Sequence, residues 1–79
     1  MKEYVTSNVT GKTYALQDVV RILNTQQIIA YMKYGIKLLD IYPSINNNGL
    51  PVLVYIVSRA DSKEAYNLWC KGELGTNDE

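Results

Sequence analysis

Residues 36–59 read IKLLDIYPSINNNGLPVLVYIVSR, and this stretch decides the fold of the chain. Two long apolar segments flank a run of asparagines and a glycine, a pattern typical of two β-strands on either side of a tight turn. Asn48-Gly49 favours a two-residue type I′ turn, because both central residues of that turn need positive φ. The sequence therefore predicts a long antiparallel hairpin on which the rest of the chain packs.

The position of the turn predicts how the two strands pair. With Asn48-Gly49 at the centre, Tyr42 faces Tyr55 and Ile41 faces Ile56. Because side chains alternate along a strand, the hairpin has two different faces. The predicted core face holds Leu39, Ile41, Ile45, Val52, Val54 and Ile56. The predicted outer face holds Leu38, Asp40, Tyr42, Leu53, Tyr55 and Val57. The alternative is a longer loop from Pro43 to Pro51, and an odd shift of register would exchange the two faces.

A capped helix precedes the hairpin. Asn24 or Thr25 is a good N-cap, and Gln27 follows Asn24 at capping-box spacing, so the sequence predicts a helix from about Thr25 to Tyr34 that stops at Gly35. The predicted apolar arc holds Ile28, Ile29, Tyr31 and Met32. The predicted outward residues are Gln26, Gln27, Ala30, Lys33 and Tyr34.

A second helix follows the hairpin. Capping-box spacing at Asp61 and Glu64 predicts its start, and Gly72 or Gly75 its end. Its inward residues are Ala65, Leu68 and Trp69, with Tyr66 at the margin. We expect Trp69 to pack on the predicted core face of the hairpin, against Ile41 and Ile56.

The N-terminal third of the chain is ambiguous. Two β-prone segments, Lys2 to Thr6 and Lys12 to Leu16, surround a turn that contains a glycine, which predicts an extra N-terminal hairpin. Residues 14–23 also carry apolar side chains at helical spacing, whereas residues 19–23 alone fit a β-branched strand. We expect the strand.

The predicted fold is a small α+β domain of order β-α-β-β-α, in which two helices pack a long antiparallel hairpin. This domain covers residues 19–74. A β-prone extension over residues 1–18 precedes it, and a disordered tail over residues 75–79 follows it.

Composition narrows the classes of function. The 79 residues include eight basic and eight acidic side chains and one cysteine. The formal net charge is zero, whereas proteins that bind the phosphate backbone of nucleic acids usually carry an excess of basic residues. We therefore do not expect nucleic acid as a partner. The longest apolar run is too short to span a bilayer, and residues 1–10 lack a targeting core. With a single cysteine typical of a reducing compartment, the sequence predicts a cytoplasmic protein without a membrane partner.

The chain offers no catalytic set. It has no histidine, which excludes Ser-His-Asp and Cys-His arrangements and histidine-bearing zinc sites. Its glycines form no phosphate-binding loop. Cys70 has only Lys71 as a neighbouring cation that could activate its thiol, so we interpret it as a half-buried helix residue. We therefore expect no enzyme, and no cofactor, metal or small-molecule substrate.

Three short patterns stand out from Asn24 onward. They are Gln27 with Tyr31 and Gly35, Asp40-Ile41-Tyr42, and Leu68-Trp69-Cys70. With these patterns the chain resembles a family of short uncharacterised proteins of Firmicutes and their phages or mobile elements. The resemblance covers about two thirds of the chain. It implies a fold and a setting, and it brings no catalytic residues.

The favoured hypothesis is a non-catalytic protein-interaction module. Seven tyrosines and no phenylalanine suit half-buried and interface positions, where a hydroxyl meets water or a partner. We expect either a homodimer or a small phage or mobile-element inhibitor or adaptor with a protein partner. The predicted contact residues are Leu38, Tyr42, Leu53, Tyr55 and Val57, a patch of the kind that soluble monomers seldom expose. Residues 1–18 compete for the same face.

The alternative hypothesis is a DNA-binding protein. Residues 12–35, KTYALQDVVRILNTQQIIAYMKYG, resemble the helix-turn-helix of excisionase and MerR-like winged-helix proteins. The resemblance makes residues 14–23 the first helix and residues 25–34 the recognition helix. Its base-reading candidates are Gln26, Gln27 and Lys33, because glutamine can pair with adenine edges in the major groove. Against it, the predicted wing is apolar where cations should meet phosphates.

Overall fold

The computed structural model describes residues 3–74, which form five strands and two helices. The elements are β1 (Tyr4–Thr6), β2 (Thr13–Ala15), β3 (Val19–Ile22), α1 (Thr25–Tyr34), β4 (Leu38–Ile45), β5 (Pro51–Ser58) and α2 (Arg59–Cys70). β1 and β2 form a separate hairpin, while β3, β5 and β4 form an antiparallel sheet with β5 in the centre. The predicted α+β class is confirmed. So is the predicted strand in the ambiguous N-terminal third.

The turn between β4 and β5 differs from the predicted one. The Gly49 N–H donates to the Asn46 carbonyl at 3.0 Å. The Asn46 side chain accepts from the backbone N–H groups of Asn48 at 2.9 Å and Leu50 at 3.0 Å. Gly49 has a φ of 80°, but no non-glycine residue among residues 3–74 has positive φ, so the type I′ turn is not formed. The loop is therefore one residue longer than predicted.

The longer loop shifts the register by one residue. Tyr42 lies opposite Val54 rather than Tyr55. A shift of one residue moves the side chains of a strand to the other face relative to its partner. A β-bulge between Leu38 and Asp40 then returns Leu38 to the face opposite that of Tyr42. The predicted pairing is wrong for these two local reasons, and so are the predicted faces.

The two helices cover one face of the sheet, which we call the helix side. Its core holds Ile22, Ile28, Ala30, Tyr31, Val57, Ala65 and Leu74. Trp69 is half-buried against this core. The predicted contacts of Trp69 with Ile41 and Ile56 are wrong, because Ile56 is buried in the core of the opposite face and Ile41 is exposed.

The β1–β2 hairpin covers the other face of the sheet. Val5 and Tyr14 from this hairpin pack against the buried core of that face. The core consists of Val19, Tyr42, Val54 and Ile56. The predicted N-terminal hairpin is thus confirmed, and it occupies a face that the sequence left open for a partner.

Helix α1 has the predicted limits. The Asn24 side chain caps it by accepting from the N–H groups of Gln26 and Gln27, at 2.9 and 3.3 Å. Gly35 ends it with a φ of 111°, a conformation that favours glycine. The predicted orientation is partly wrong. Ile28 and Tyr31 are buried as expected, but Ile29 and Met32 are exposed and Ala30 is buried, because Ala30 packs in the same core as Ala65 of α2 and Leu74.

Helix α2 begins two residues before Asp61. Its N-cap is Ser58, whose hydroxyl accepts from the Asp61 N–H at 3.2 Å. The predicted cap at Asp61 is therefore wrong, because the Ser58 hydroxyl, three residues earlier, caps the helix. Ala65 is buried as predicted. The predicted disordered tail, residues 75–79, lies outside the described residues. Neither described helix is long and apolar enough to cross a membrane.

Candidate functional site

A buried carboxylate joins the β1–β2 hairpin to the sheet. Asp40 is only 6% exposed. The hydroxyls of Ser7, Thr10 and Tyr14 donate to its two oxygens at 3.1, 2.7 and 2.9 Å. The backbone N–H of Ile41 donates a fourth hydrogen bond at 2.8 Å. Four donors satisfy a charge that burial alone would destabilise, so this cluster fixes the hairpin against the sheet.

The same contacts determine the ionisation of the cluster. The hydrogen bond from Thr10 lowers the pKa of Asp40, burial opposes it, and the bonds from Tyr14, Ile41 and Ser7 lower the pKa further. The pKa of Tyr14 is raised, first by burial and then by its bond to Asp40. Asp40 is therefore ionised and Tyr14 protonated at neutral pH. No described group of three or more His, Cys, Asp or Glu side chains could hold a metal ion.

Sequence reasoning did not find this cluster. A signal was present, since Asp40 is a lone acid between Leu39 and Ile41 in an otherwise apolar strand, and such an acid needs donors when it is buried. The donors lie about 30 residues away on the N-terminal hairpin. Their proximity depends on how that hairpin packs, which no local pattern encodes.

The hairpin of β4 and β5 extends beyond the third strand. β3 ends at Ile22, which lies opposite Tyr55, so the first four residues of β5 pair with β4 only. On the helix side of this extension, neither helix covers the sheet. The exposed apolar side chains there, with Ile41 at its border, form a surface that we call the hairpin strip: Ile41, Pro43, Ile45, Pro51 and Leu53.

The hairpin strip is strongly exposed. Ile45 is 65% exposed, Leu53 46% and Ile41 38%. Pro43 lies opposite Leu53, and Pro51 lies opposite Ile45, so the five side chains are contiguous across the two strands. A contiguous patch of this kind marks an interaction surface more often than a run of single exposed residues does.

The predicted contact residues do not share an open face. Tyr42 is buried beneath the β1–β2 hairpin. Leu38, Tyr55 and Val57 pack in or against the core under the helices. Only Leu53 is exposed, as part of the hairpin strip. The predicted outer face is therefore wrong, because the register shift divides its members between the two faces of the sheet and all but Leu53 are covered there.

The residues of the DNA-binding alternative are not arranged as a recognition helix. Residues 16–18 form a turn and β3 follows, so the first helix of the proposed helix-turn-helix is absent from the described chain. Gln26 and Lys33 are exposed, but Gln27 is half-buried and its side chain donates to the Tyr31 hydroxyl at 3.0 Å. The predicted helix-turn-helix is wrong, because residues 19–22 pair with β5.

The two edges of the sheet differ. On the β4 edge, the Ile41 N–H donates to the Asp40 side chain, and Pro43 has no N–H. The Pro43 carbonyl accepts from the Asn8 side chain at 3.3 Å. Bulges and prolines are devices that protect an edge strand from pairing with another chain. The β3 edge has neither. A groove of about 810 Å³ runs beside it, between β3 and α2.

No family model, no curated protein and no solved structure matches the chain.

Proposed function

We propose that this protein is a non-catalytic protein-interaction module that binds another protein chain through the hairpin strip. The observation that carries the proposal is the exposure of Ile41, Ile45 and Leu53 on one side of an extension that no other described element covers. Burying such side chains against a partner contributes favourable free energy in proportion to the apolar area removed from water.

The bound chain is either a second copy or a different protein. A two-fold arrangement would place one hairpin strip against another, since an isologous interface uses the same patch on both subunits. The sequence resemblance to short proteins of phages and mobile elements supports a cytoplasmic inhibitor or adaptor instead. Both arrangements use the same five side chains, so one pair of variants tests both.

The experiment compares the wild type with an Ile45→Lys/Leu53→Lys variant. Both side chains already face solvent, so the variant should retain the far-UV circular dichroism of the wild type. Val9→Lys is the matched control, because Val9 is 63% exposed and lies in the β1–β2 turn, away from the strip.

Light scattering over a range of concentrations measures self-association against the monomer mass of 9.0 kDa. Quantitative affinity capture from the native cell, followed by mass spectrometry, measures binding to a different protein. We expect the double variant to lose the association that the wild type and Val9→Lys share. A monomeric wild type whose captured proteins do not depend on the strip would refute the proposal.

A further inference from the structure

We propose that β3 is a docking site for an extended, acidic segment of a different protein, which adds as a fourth strand to the sheet. This site lies on the opposite edge from β4 and uses none of the hairpin strip. The two proposals can therefore be tested independently of each other.

The backbone of β3 presents unpaired hydrogen-bonding groups at the edge. The Arg59 N–H donates to the Asp18 carbonyl at 2.9 Å, so the backbone groups of Asp18 point toward β5. Residues of an antiparallel strand alternate in direction, so those of Val20 also point toward β5, while those of Val19 and Arg21 point outward. The Arg59 guanidinium binds the Val19 carbonyl at 2.9 Å. Within residues 3–74, the outward N–H and carbonyl of Arg21 have no partner.

These groups are the ones that an added strand needs. A peptide that lies antiparallel to β3 would exchange two hydrogen bonds with Arg21, and its side chains would alternate between the two faces of the sheet. On the helix side they would enter the groove beside α2, because Val20 lines this groove. Val20 and Tyr66 supply apolar contact there, and Tyr66 is 52% exposed.

The positive charge of the groove favours a peptide with acidic side chains. Arg59 and Lys63 line it from α2, and within residues 3–74 Asp18 is the only acidic residue that lines it. A side chain of Asp or Glu that faces the groove would meet these two cations, while a β-branched side chain two positions along the added strand, on the same face, would pack on Val20 and Tyr66. A carboxylate that pairs with a guanidinium forms the stronger, charge-assisted hydrogen bond.

A second copy of this chain is a poor occupant of the site. The only charged residue of β3 is Arg21, which lies opposite Ile56 on the face away from the groove, so pairing β3 with its own copy would bring no acidic strand residue to the groove. On the β4 edge the Ile41 N–H is bonded to Asp40, Pro43 has no N–H and the Pro43 carbonyl accepts from Asn8, so this edge is a poor source of the added strand. The occupant is therefore a segment of a different protein.

The test selects peptides from a random display library of about 12 residues on the full-length protein, and measures the affinity of a labelled selected peptide by fluorescence anisotropy. We expect selected peptides in which an Asp or Glu and a β-branched residue lie two positions apart, so that both face the groove. Arg21→Pro removes the outward N–H, and Arg21→Ala is its matched control, since it removes the same charge but keeps that N–H. We expect Arg21→Pro to weaken binding about tenfold relative to Arg21→Ala.

Two further measurements complete the test. Lys63→Glu should weaken binding and Ile45→Lys should leave it unchanged, which separates this site from the hairpin strip. If Arg21→Pro fails to fold, amide hydrogen exchange on the wild type decides, because a bound strand should slow exchange at Arg21. Failure to select any peptide, selected peptides without acidic residues, or unchanged exchange at Arg21 would overturn the proposal.

Discussion

Truncation of two isoleucines tests the observed faces of the sheet. The pairing predicted from the sequence places Ile41 and Ile56 together on one core face. In the structure Ile56 is 0% exposed, whereas Ile41 is 38% exposed on the opposite face. The substitutions Ile56→Ala and Ile41→Ala are chemically identical, so any difference in their effects reports the environment of each side chain.

The expected loss in the free energy of unfolding for each substitution follows from how deeply the isoleucine side chain is buried. Alanine lacks three carbon atoms of isoleucine, each worth ~0.8 kcal/mol when buried, which gives about 2.4 kcal/mol for Ile56 before any cavity is counted. A residual cavity raises the cost to about 3–4 kcal/mol. Ile41 keeps part of its side chain in water and leaves no enclosed cavity, so we expect about 1 kcal/mol. A domain of this length has a total free energy of unfolding of about 4–12 kcal/mol.

Urea unfolding measures both variants, monitored by far-UV circular dichroism and by the fluorescence of the single tryptophan, Trp69. Coincident transitions from the two probes would justify a two-state free energy. We expect Ile56→Ala to lower the transition midpoint much more than Ile41→Ala does. Equal losses, or a larger loss for Ile41→Ala, would show that the observed register and faces are wrong.

Three further predictions concern the carboxylate cluster and the ends of α1. The folded state lowers the pKa of Asp40, so the ionised carboxylate stabilises the fold above about pH 4, and this stabilisation is lost as the pH falls through the folded pKa. The urea midpoint of the wild type should therefore decrease on acidification more steeply than that of Asp40→Asn. Parallel pH profiles of the two proteins would contradict this prediction. Gly35→Ala should lower the free energy of unfolding by about 1–2 kcal/mol, because the φ of 111° is unfavourable for a residue with a Cβ atom, and an unchanged thermal midpoint would argue against that cap. Asn24→Ala removes the side chain that accepts from Gln26 and Gln27 and should cost about 1 kcal/mol in urea unfolding, with the exposed Gln26→Ala as a control that should cost less.

The sequence alone determined the elements whose causes are local. Asn24 and Gly35 define α1, because a side-chain acceptor at the start and a left-handed residue at the end act within a few residues of the chain. The hairpin of residues 38–58 and the strand over residues 19–22 follow from β-branched and apolar runs between turn residues. These signals predicted the α+β class and the order of the elements.

The tertiary structure decided the faces of the sheet and everything that depends on them. Asn48-Gly49 is compatible with more than one turn, and the hydrogen bonds of the Asn46 side chain select the longer loop. That single-residue difference exchanges the faces of the β4 side chains from Asp40 to Ile45 relative to those of β5, and the bulge restores Leu38 to the face of Val57.

The candidate sites depend on tertiary structure for the same reason. The hydroxyls that surround Asp40 lie 26 to 33 residues away in sequence, and they meet it only when the β1–β2 hairpin packs on the sheet. The hairpin strip is exposed because β3 is shorter than β4 and β5 and ends opposite Tyr55. The sequence shows which side chains are apolar, but the packing of distant elements determines which of them are covered, because burial is a property of the assembled chain.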